Sequence, residues 1–204
     1  STGNVTFTTG ATGANSIGNI SSTQSAANAV NLGTLGAAGG SIGNVTIAGA
    51  GTSFTMATGA VLNIGDVSAS GYTGATSVTL SNTTVIGVNF TGGTGADTFV
   101  GTGGADAISS NNGADTITGA GLADTLTGGA GDDIISGLAG ADIISSSAGT
   151  NTLTGGAGID TFTGGTGVDT INGGDGADII NANQTGADVI SGDAGADIIN
   201  ITDT

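Results

Sequence analysis

From Gly92 to Asn181 a large apolar residue returns at every ninth position: Phe99, Ile108, Ile117, Leu126, Ile135, Ile144, Leu153, Phe162, Ile171 and Ile180. Its two neighbours are mostly Thr, Ser, Asn or Ile. One inward side chain between two outward ones is the period-two signature of a three-residue strand. The six residues between strands are rich in Gly and end in Asp, giving the consensus G-G-x-G-x-D-x-U-x with U apolar. GGTGADTFV (92–100), GGAGDDIIS (128–136), GGAGIDTFT (155–163), GGTGVDTIN (164–172) and GGDGADIIN (173–181) are the clearest of ten unbroken copies. Two more follow, ANQTGADVIS (182–191) and GDAGADIIN (192–200), and the extra residue of the former reads as a bulge in a loop without the usual glycines. Strands this short are stable only when stacked on neighbours, as in a solenoid.

Position six is the chemically distinctive one. It holds Asp97, Asp106, Asp115, Asp124, Asp133, Asp142, Asn151, Asp160, Asp169 and Asp178, and in the last two copies Asp188 and Asp197. Successive glycines let a loop close tightly and turn its carbonyl oxygens inward, and carbonyl plus carboxylate oxygen is the ligand set of a hard cation such as Ca²⁺. The repeat resembles the calcium-binding nonapeptide of the RTX family. That resemblance covers the C-terminal half and implies a parallel β-roll in which two nonapeptides form one turn. Twelve copies would then build about six turns, roughly 29 Å long at about 4.8 Å per strand. Position six would fall into two columns, one per edge: Asp97, Asp115, Asp133, Asn151, Asp169, Asp188 and Asp106, Asp124, Asp142, Asp160, Asp178, Asp197. Carboxylates about 5 Å apart repel by roughly 3 kcal/mol at an effective dielectric near 20. The chain has no Lys, Arg or His to offset this, so about eight to ten Ca²⁺ are expected between successive loops. Asn151 keeps a carbonyl oxygen and is expected to weaken its sites rather than abolish them.

Residues 1–91 follow another pattern. Short alternating runs predict strands at Val5–Phe7, Val45–Ile47, Ser53–Met56, Val61–Ile64, Val78–Leu80 and Val85–Phe90. STGNV at 1, SIGNI at 16 and SIGNV at 41 echo one another at irregular spacing, as rungs with variable loops would. Gln24–Leu32 is the best candidate for a helix, and a poor one. This half resembles the Thr- and Ala-rich β segments that precede RTX repeats in bacterial surface-layer and related secreted proteins. The expectation is an all-β chain of two regions: residues 1–91, a β-solenoid-like or β-sandwich segment, and residues 92–204, the parallel β-roll. With no linker near Phe90–Gly92, both should share one continuous sheet.

Composition narrows the function classes. The 204 residues include 43 Gly, no Pro, 3% aromatics and a formal charge of −16. All sixteen acids are Asp, and eleven occupy position six. A core so poor in large side chains is weak without added ligands. A chain without a basic residue is no partner for nucleic acid or anionic membranes. Absent cysteine excludes disulfides and thiolate zinc sites, and no apolar run is long enough to offer a membrane span. Lacking an initiator Met and a charged-then-apolar leader, the sequence reads as a mature product or an excerpt of a longer chain.

Catalysis has little to work with. Without His, Cys, Lys, Arg or Glu there is no triad, thiol nucleophile or Schiff base, and the Asp residues follow a structural period rather than converging on a cleft. The chain is therefore expected not to be an enzyme. Phosphate-cradling glycine loops need a Lys that is absent. Asp132, Asp175 and Asp193 lie in loops where they tune affinity or meet solvent; Asp66 and Asp203 read as surface residues. Asn4, Asn19, Asn44, Asn82, Asn89, Asn183 and Asn200 begin N-x-[ST] sequons that reflect composition. Thr at positions seven and nine forms an outward ladder interrupted by Ile134, Ile143, Ile179 and Ile198. The resemblance implies a secreted, extracellular protein of the bacterial cell surface, passing type I secretion channels unfolded and folding on calcium outside. Its expected role is that of a surface-layer, matrix or filament subunit that self-associates or docks on a surface structure. The alternatives are a non-catalytic folding and secretion module of a larger RTX protein and, more remotely, a calcium-bound ice-binding or adhesin solenoid.

Overall fold

The computed structural model describes residues 20–24, 29–35, 41–58, 63–80, 86–183 and 186–202. Nearly all described strands belong to two long parallel sheets. The first contains Ile20–Gln24, Val45–Gly49, Val67–Tyr72, Asn89–Thr91, Ala107–Ser109, Thr125–Thr127, Ile143–Ser145, Thr161–Thr163, Ile179–Asn183 and Ile198–Thr202, in that spatial order. The second contains Ala29–Leu35, Ser53–Thr58, Ala75–Leu80, Thr98–Val100, Thr116–Gly121, Ile134–Ala139, Thr152–Ala157, Thr170–Asp175 and Val189–Ala194. Successive strands alternate between the sheets, so the chain winds as a solenoid, and the all-β parallel roll expected from the repeats is what forms. Ser41–Ile42 and Asn63–Ile64 make a small extra parallel pair.

Register follows the sequence period. Thr98, Thr116, Ile134, Thr152 and Thr170 are stacked partners, each two nonapeptides beyond the last. After the one-residue insertion Thr170 pairs with Val189 and Ile179 with Ile198, so the ladder continues. Residues 184–185, within the copy 182–191 where a bulge is expected, lie outside the described residues. Every position-eight side chain from Phe99 to Ile180 is buried between the sheets. Toward the C-terminal end Ile190 is only half-buried, and Ile199 is exposed.

Before Gly92 the same winding uses longer rungs and a more varied core. Ile20 pairs with Val45, Val45 with Val67 and Val67 with Phe90, so each rung is longer than two nonapeptides and no two are equal. Phe54, Met56 and Tyr72 are fully buried there. At the junction the Phe90 and Phe99 rings meet with centroids 3.5 Å apart. Both sheets cross this junction unbroken, through Ser77–Thr98 in one and Asn89–Ala107 in the other.

The poor helix candidate Gln24–Leu32 is strand wherever it is described: Gln24 ends a strand, and Ala29–Leu35 is a strand paired with Ser53–Thr58, with residues 25–28 outside the described residues. The Ala- and Asn-containing pattern has no strong local preference, and a neighbouring strand that can satisfy its backbone groups decides the outcome. The strand expected at Val5–Phe7 lies outside the described residues.

Candidate metal centre

Each nonapeptide loop crosses from one sheet to the other, which creates two edges. Loops ending at Asp97, Asp115, Asp133, Asn151, Asp169 and Asp188 lie on the first edge; those ending at Asp106, Asp124, Asp142, Asp160, Asp178 and Asp197 lie on the second. Within each column one side-chain oxygen is used to join rungs. On the second edge the backbone N–H of Asp106 donates to Asp124 Oδ1, Asp124 to Asp142 and Asp142 to Asp160, all at 2.8 Å. Asp160 donates to Asp178 at 2.8 Å and Asp178 to Asp197 at 3.0 Å. The first edge repeats this from Asp97 through Asp115, Asp133, Asn151 and Asp169 to Asp188, at 2.7–3.1 Å. Above them Thr76 N–H donates to Asp97 and Val88 N–H to Asp106, both at 2.7 Å. All twelve residues singled out by the repeat thus stand in the two columns.

The second carboxylate oxygen is the unusual one. Oδ2 of Asp115, Asp124, Asp142, Asp160, Asp169 and Asp178 is buried without a hydrogen-bond partner. For all of these but Asp115, whose loop begins with Ser110, a glycine at position one makes room: a Cβ on Gly137 would lie 2.1 Å from Asp142 Oδ2, and one on Gly155 2.1 Å from Asp160 Oδ2. Leaving a charged oxygen both buried and unpaired costs several kcal/mol unless a proton or a cation joins it. Burial accordingly pushes the Asp124 carboxyl up to about 7, with Asp106 and Asp142 adding repulsion. Burial also raises Asp115 and Asp160 to about 6, and the carboxyls of Asp97, Asp106, Asp133, Asp142 and Asp169 move in the same direction for the same first cause.

These orphaned oxygens fit a hard cation. Among the described residues no three acidic side chains gather into one cluster, so loop carbonyls would have to complete each coordination shell, as they do in calcium sites generally. Asp115, Asp124, Asp142, Asp160, Asp169 and Asp178 are the side chains that would hold the ion, whose chemistry here is neutralisation and cross-linking of rungs. Of the loop acids, Asp132 accepts Thr150 N–H at 2.7 Å and Asp193 bonds the Ser191 hydroxyl. Both are exposed, as is Asp175.

Other residues at the site escape a reading of the repeat alone. Gly93 N–H donates to Asp97 Oδ2 at 2.9 Å and Thr102 N–H to Asp106 Oδ2 at 2.7 Å. Ser146 Oγ donates to Asp133 Oδ2 at 3.4 Å. The signal is present as a departure from Gly at position one (Ser110, Ser146) and as Thr102 at position two. Asp66 is exposed, as expected, but it also joins rungs: its N–H donates to Asn44 Oδ1 at 3.1 Å, and Asn89 Nδ2 donates to its Oδ1 at 2.9 Å. The recurrence of I-G-N at 42–44 and I-G-D at 64–66 marks that ladder.

A parallel β-roll whose two edges stack buried, partnerless carboxylates belongs to the class of solenoids that take cations between their turns. The chain is a member of the RTX calcium-binding nonapeptide-repeat family, whose repeat matches four times, over 91–126, 118–153, 154–184 and 184–200. Together the matches cover more than half of its 204 residues. Repeats of this family are typically non-catalytic structural or secretion modules of secreted proteins. Comparison with curated proteins and with solved structures returns no significant match.

Proposed function

We propose that this chain is a calcium-dependent structural protein of the cell exterior, a surface-layer, matrix or filament subunit that folds when it meets extracellular calcium. The observation that carries the calcium requirement is the set of six buried, unpartnered Oδ2 atoms in a chain without a single side-chain cation. In a low-calcium cytosol the repeats remain open and secretable. Outside, ions at about 10⁻⁴ to 10⁻³ M fill weak sites of the extracellular type and stabilise the fold by mass action. Two features support a structural role rather than a carrier module. Both sheets run unbroken from the first described strands to beyond Ile190, giving a stiff rod. Ile134 and Val189 on one face, and Ile143 and Ile198 on the other, stand more than half exposed at position seven, where neighbouring subunits can meet. Light scattering coupled to size exclusion tests this reading: calcium should convert a monomer into ordered multimers. A holo-protein that stays strictly monomeric at high concentration overturns the subunit role in favour of a folding and secretion module.

A further inference from the structure

The two edges differ in how much cation they require. On the second edge, Asp124, Asp142, Asp160 and Asp178 occupy four consecutive rungs, and each leaves Oδ2 buried and unpartnered. Position one above them is always Gly (Gly119, Gly137, Gly155, Gly173), so no side chain of the loop reaches the oxygen. The loops there also continue the second sheet, with Ala120, Leu138, Gly156 and Gly174 in register.

On the first edge the run is intercepted by the chain itself. Ser146 donates to Asp133. Asn151 replaces a carboxylate outright, and its Nδ2 donates to Asp169 Oδ1 at 2.8 Å, so the group that would be Oδ2 is a donor. Only Asp115 and Asp169 keep an orphaned oxygen, and they are not neighbours. Beside Asp115 the buried Ser110 hydroxyl donates to Gly128 O at 2.7 Å. The loops of the first edge are joined by isolated bridges, Asn112–Ala130–Ala148–Thr166, rather than by continued strands.

The first repeat on each edge differs again. Gly93 and Thr102 turn their N–H groups onto Asp97 and Asp106. From Asn111 onward, positions two and four commonly adopt positive φ, as at Gly129 (94°) and Gly131 (139°), whereas no residue of 92–109 does. Those two loops therefore lack the positive-φ turns of the later loops, and their carboxylates are already satisfied by hydrogen bonds.

We propose that calcium uptake is concentrated on the second edge, in the run from Asp124 to Asp178, that the first edge is partly neutralised by Ser146 and Asn151, and that the loops ending at Asp97 and Asp106 take no ion. This rests on the calcium reading above. A continuous column of like charges fills cooperatively, because each ion relieves repulsion shared with the next rung; an interrupted column does not.

The test is ion counting by native mass spectrometry on the full chain in saturating calcium, with the calcium midpoint read by circular dichroism. Asp142→Asn should bind fewer ions and raise the midpoint severalfold, with a shallower transition. Asp97→Asn should bind as many ions as the parent, whatever it does to stability. Asn151→Asp should bind more, which keeps the test decisive if Asp142→Asn does not fold. Loss of as many ions in Asp97→Asn as in Asp142→Asn, or no gain in Asn151→Asp, overturns the division between edges while leaving calcium binding intact. Should the parent chain bind none, the calcium reading itself has failed.

Discussion

Rungs before Gly92 are long and unequal and enclose Phe54, Met56 and Tyr72; those after it keep to two nonapeptides, apart from the one-residue insertion at 182–191, and enclose one position-eight side chain per strand. Between rungs, the earlier region uses an exposed ladder of Asn44, Asp66 and Asn89, in which one carboxylate sits between two amides. The later region uses buried carboxylates stacked on carboxylates. An exposed ladder with a single carboxylate is satisfied by its amides and by water, whereas a buried column of carboxylates needs a proton or a counterion. On the function proposed above, the same winding is supported by burial in one region and by a ligand in the other, and what the shorter rung loses in apolar volume is recovered from outside the molecule.

The sharpest way to break that comparison is to remove the metal. Chelation of calcium at neutral pH should abolish amide protection over positions 110–200 while strands such as Ser53–Thr58 and Ala75–Leu80 remain protected. Hydrogen exchange read by mass spectrometry resolves the two regions in a single experiment. Uniform protection after chelation would show that the roll needs no ion, and uniform loss would show that the earlier region has no stability of its own.

Acid offers a second, smaller lever, with a sign opposite to the usual one for carboxylates. Burial holds Asp124 at about 7 and Asp115 and Asp160 at about 6, against about 4 for a carboxyl in an unfolded chain. Between about pH 4 and pH 7 the unfolded chain has released protons that the fold retains, so the calcium-free roll loses stability as pH rises through this window. Below it both states are protonated and the contribution is level. Circular dichroism of the chelated chain should therefore show more β structure at pH 5 than at pH 8. With calcium bound the order should reverse, because protons and metal compete for the same oxygens. A flat profile for the chelated chain would mean that the orphaned oxygens are hydrated rather than buried.

Much of this is legible in the sequence alone. The nine-residue period marks the strands and the inward side chains, and with two nonapeptides per turn, which the family resemblance implies, both aspartate columns follow. The earlier region is less legible, since rungs of unequal length hide their period; I-G-N at 42–44 and I-G-D at 64–66 become a repeat only once Val45 and Val67 are seen paired. Gln24–Leu32, the poor helix candidate, shows why: propensity is weak there and, in its described residues, strand pairing dominates. At the metal centre, residue types locate the carboxylates but not their partners. Whether an Asp oxygen meets a Gly93 N–H, a Ser146 hydroxyl or nothing depends on loop φ values that a repeat consensus does not encode.

Backbone strain supplies the finest discrimination between the regions. Among the described residues, positive φ before Asn111 is confined to Gly49, whereas the roll places Asn111, Ala120, Leu122, Leu138 and Asp193 there besides its glycines. Leu138 (φ 77°) is half exposed and in register with Gly156 (φ 119°) and Gly174 (φ 103°), which also take positive φ but carry no Cβ. A non-glycine residue in this region is strained by about 1 kcal/mol or more, while Gly adds a comparable entropic penalty from the unfolded chain. Leu138→Gly should therefore change the thermal midpoint of the calcium-loaded monomer only slightly, upward by no more than about 0.5–1 kcal/mol equivalent. Its calcium-free form should be indistinguishable from the parent, since the roll is then unfolded and the strain does not exist. A clear destabilisation of the loaded monomer would instead mean that the exposed leucine packs against its edge, and that apolar burial contributes to the roll after all.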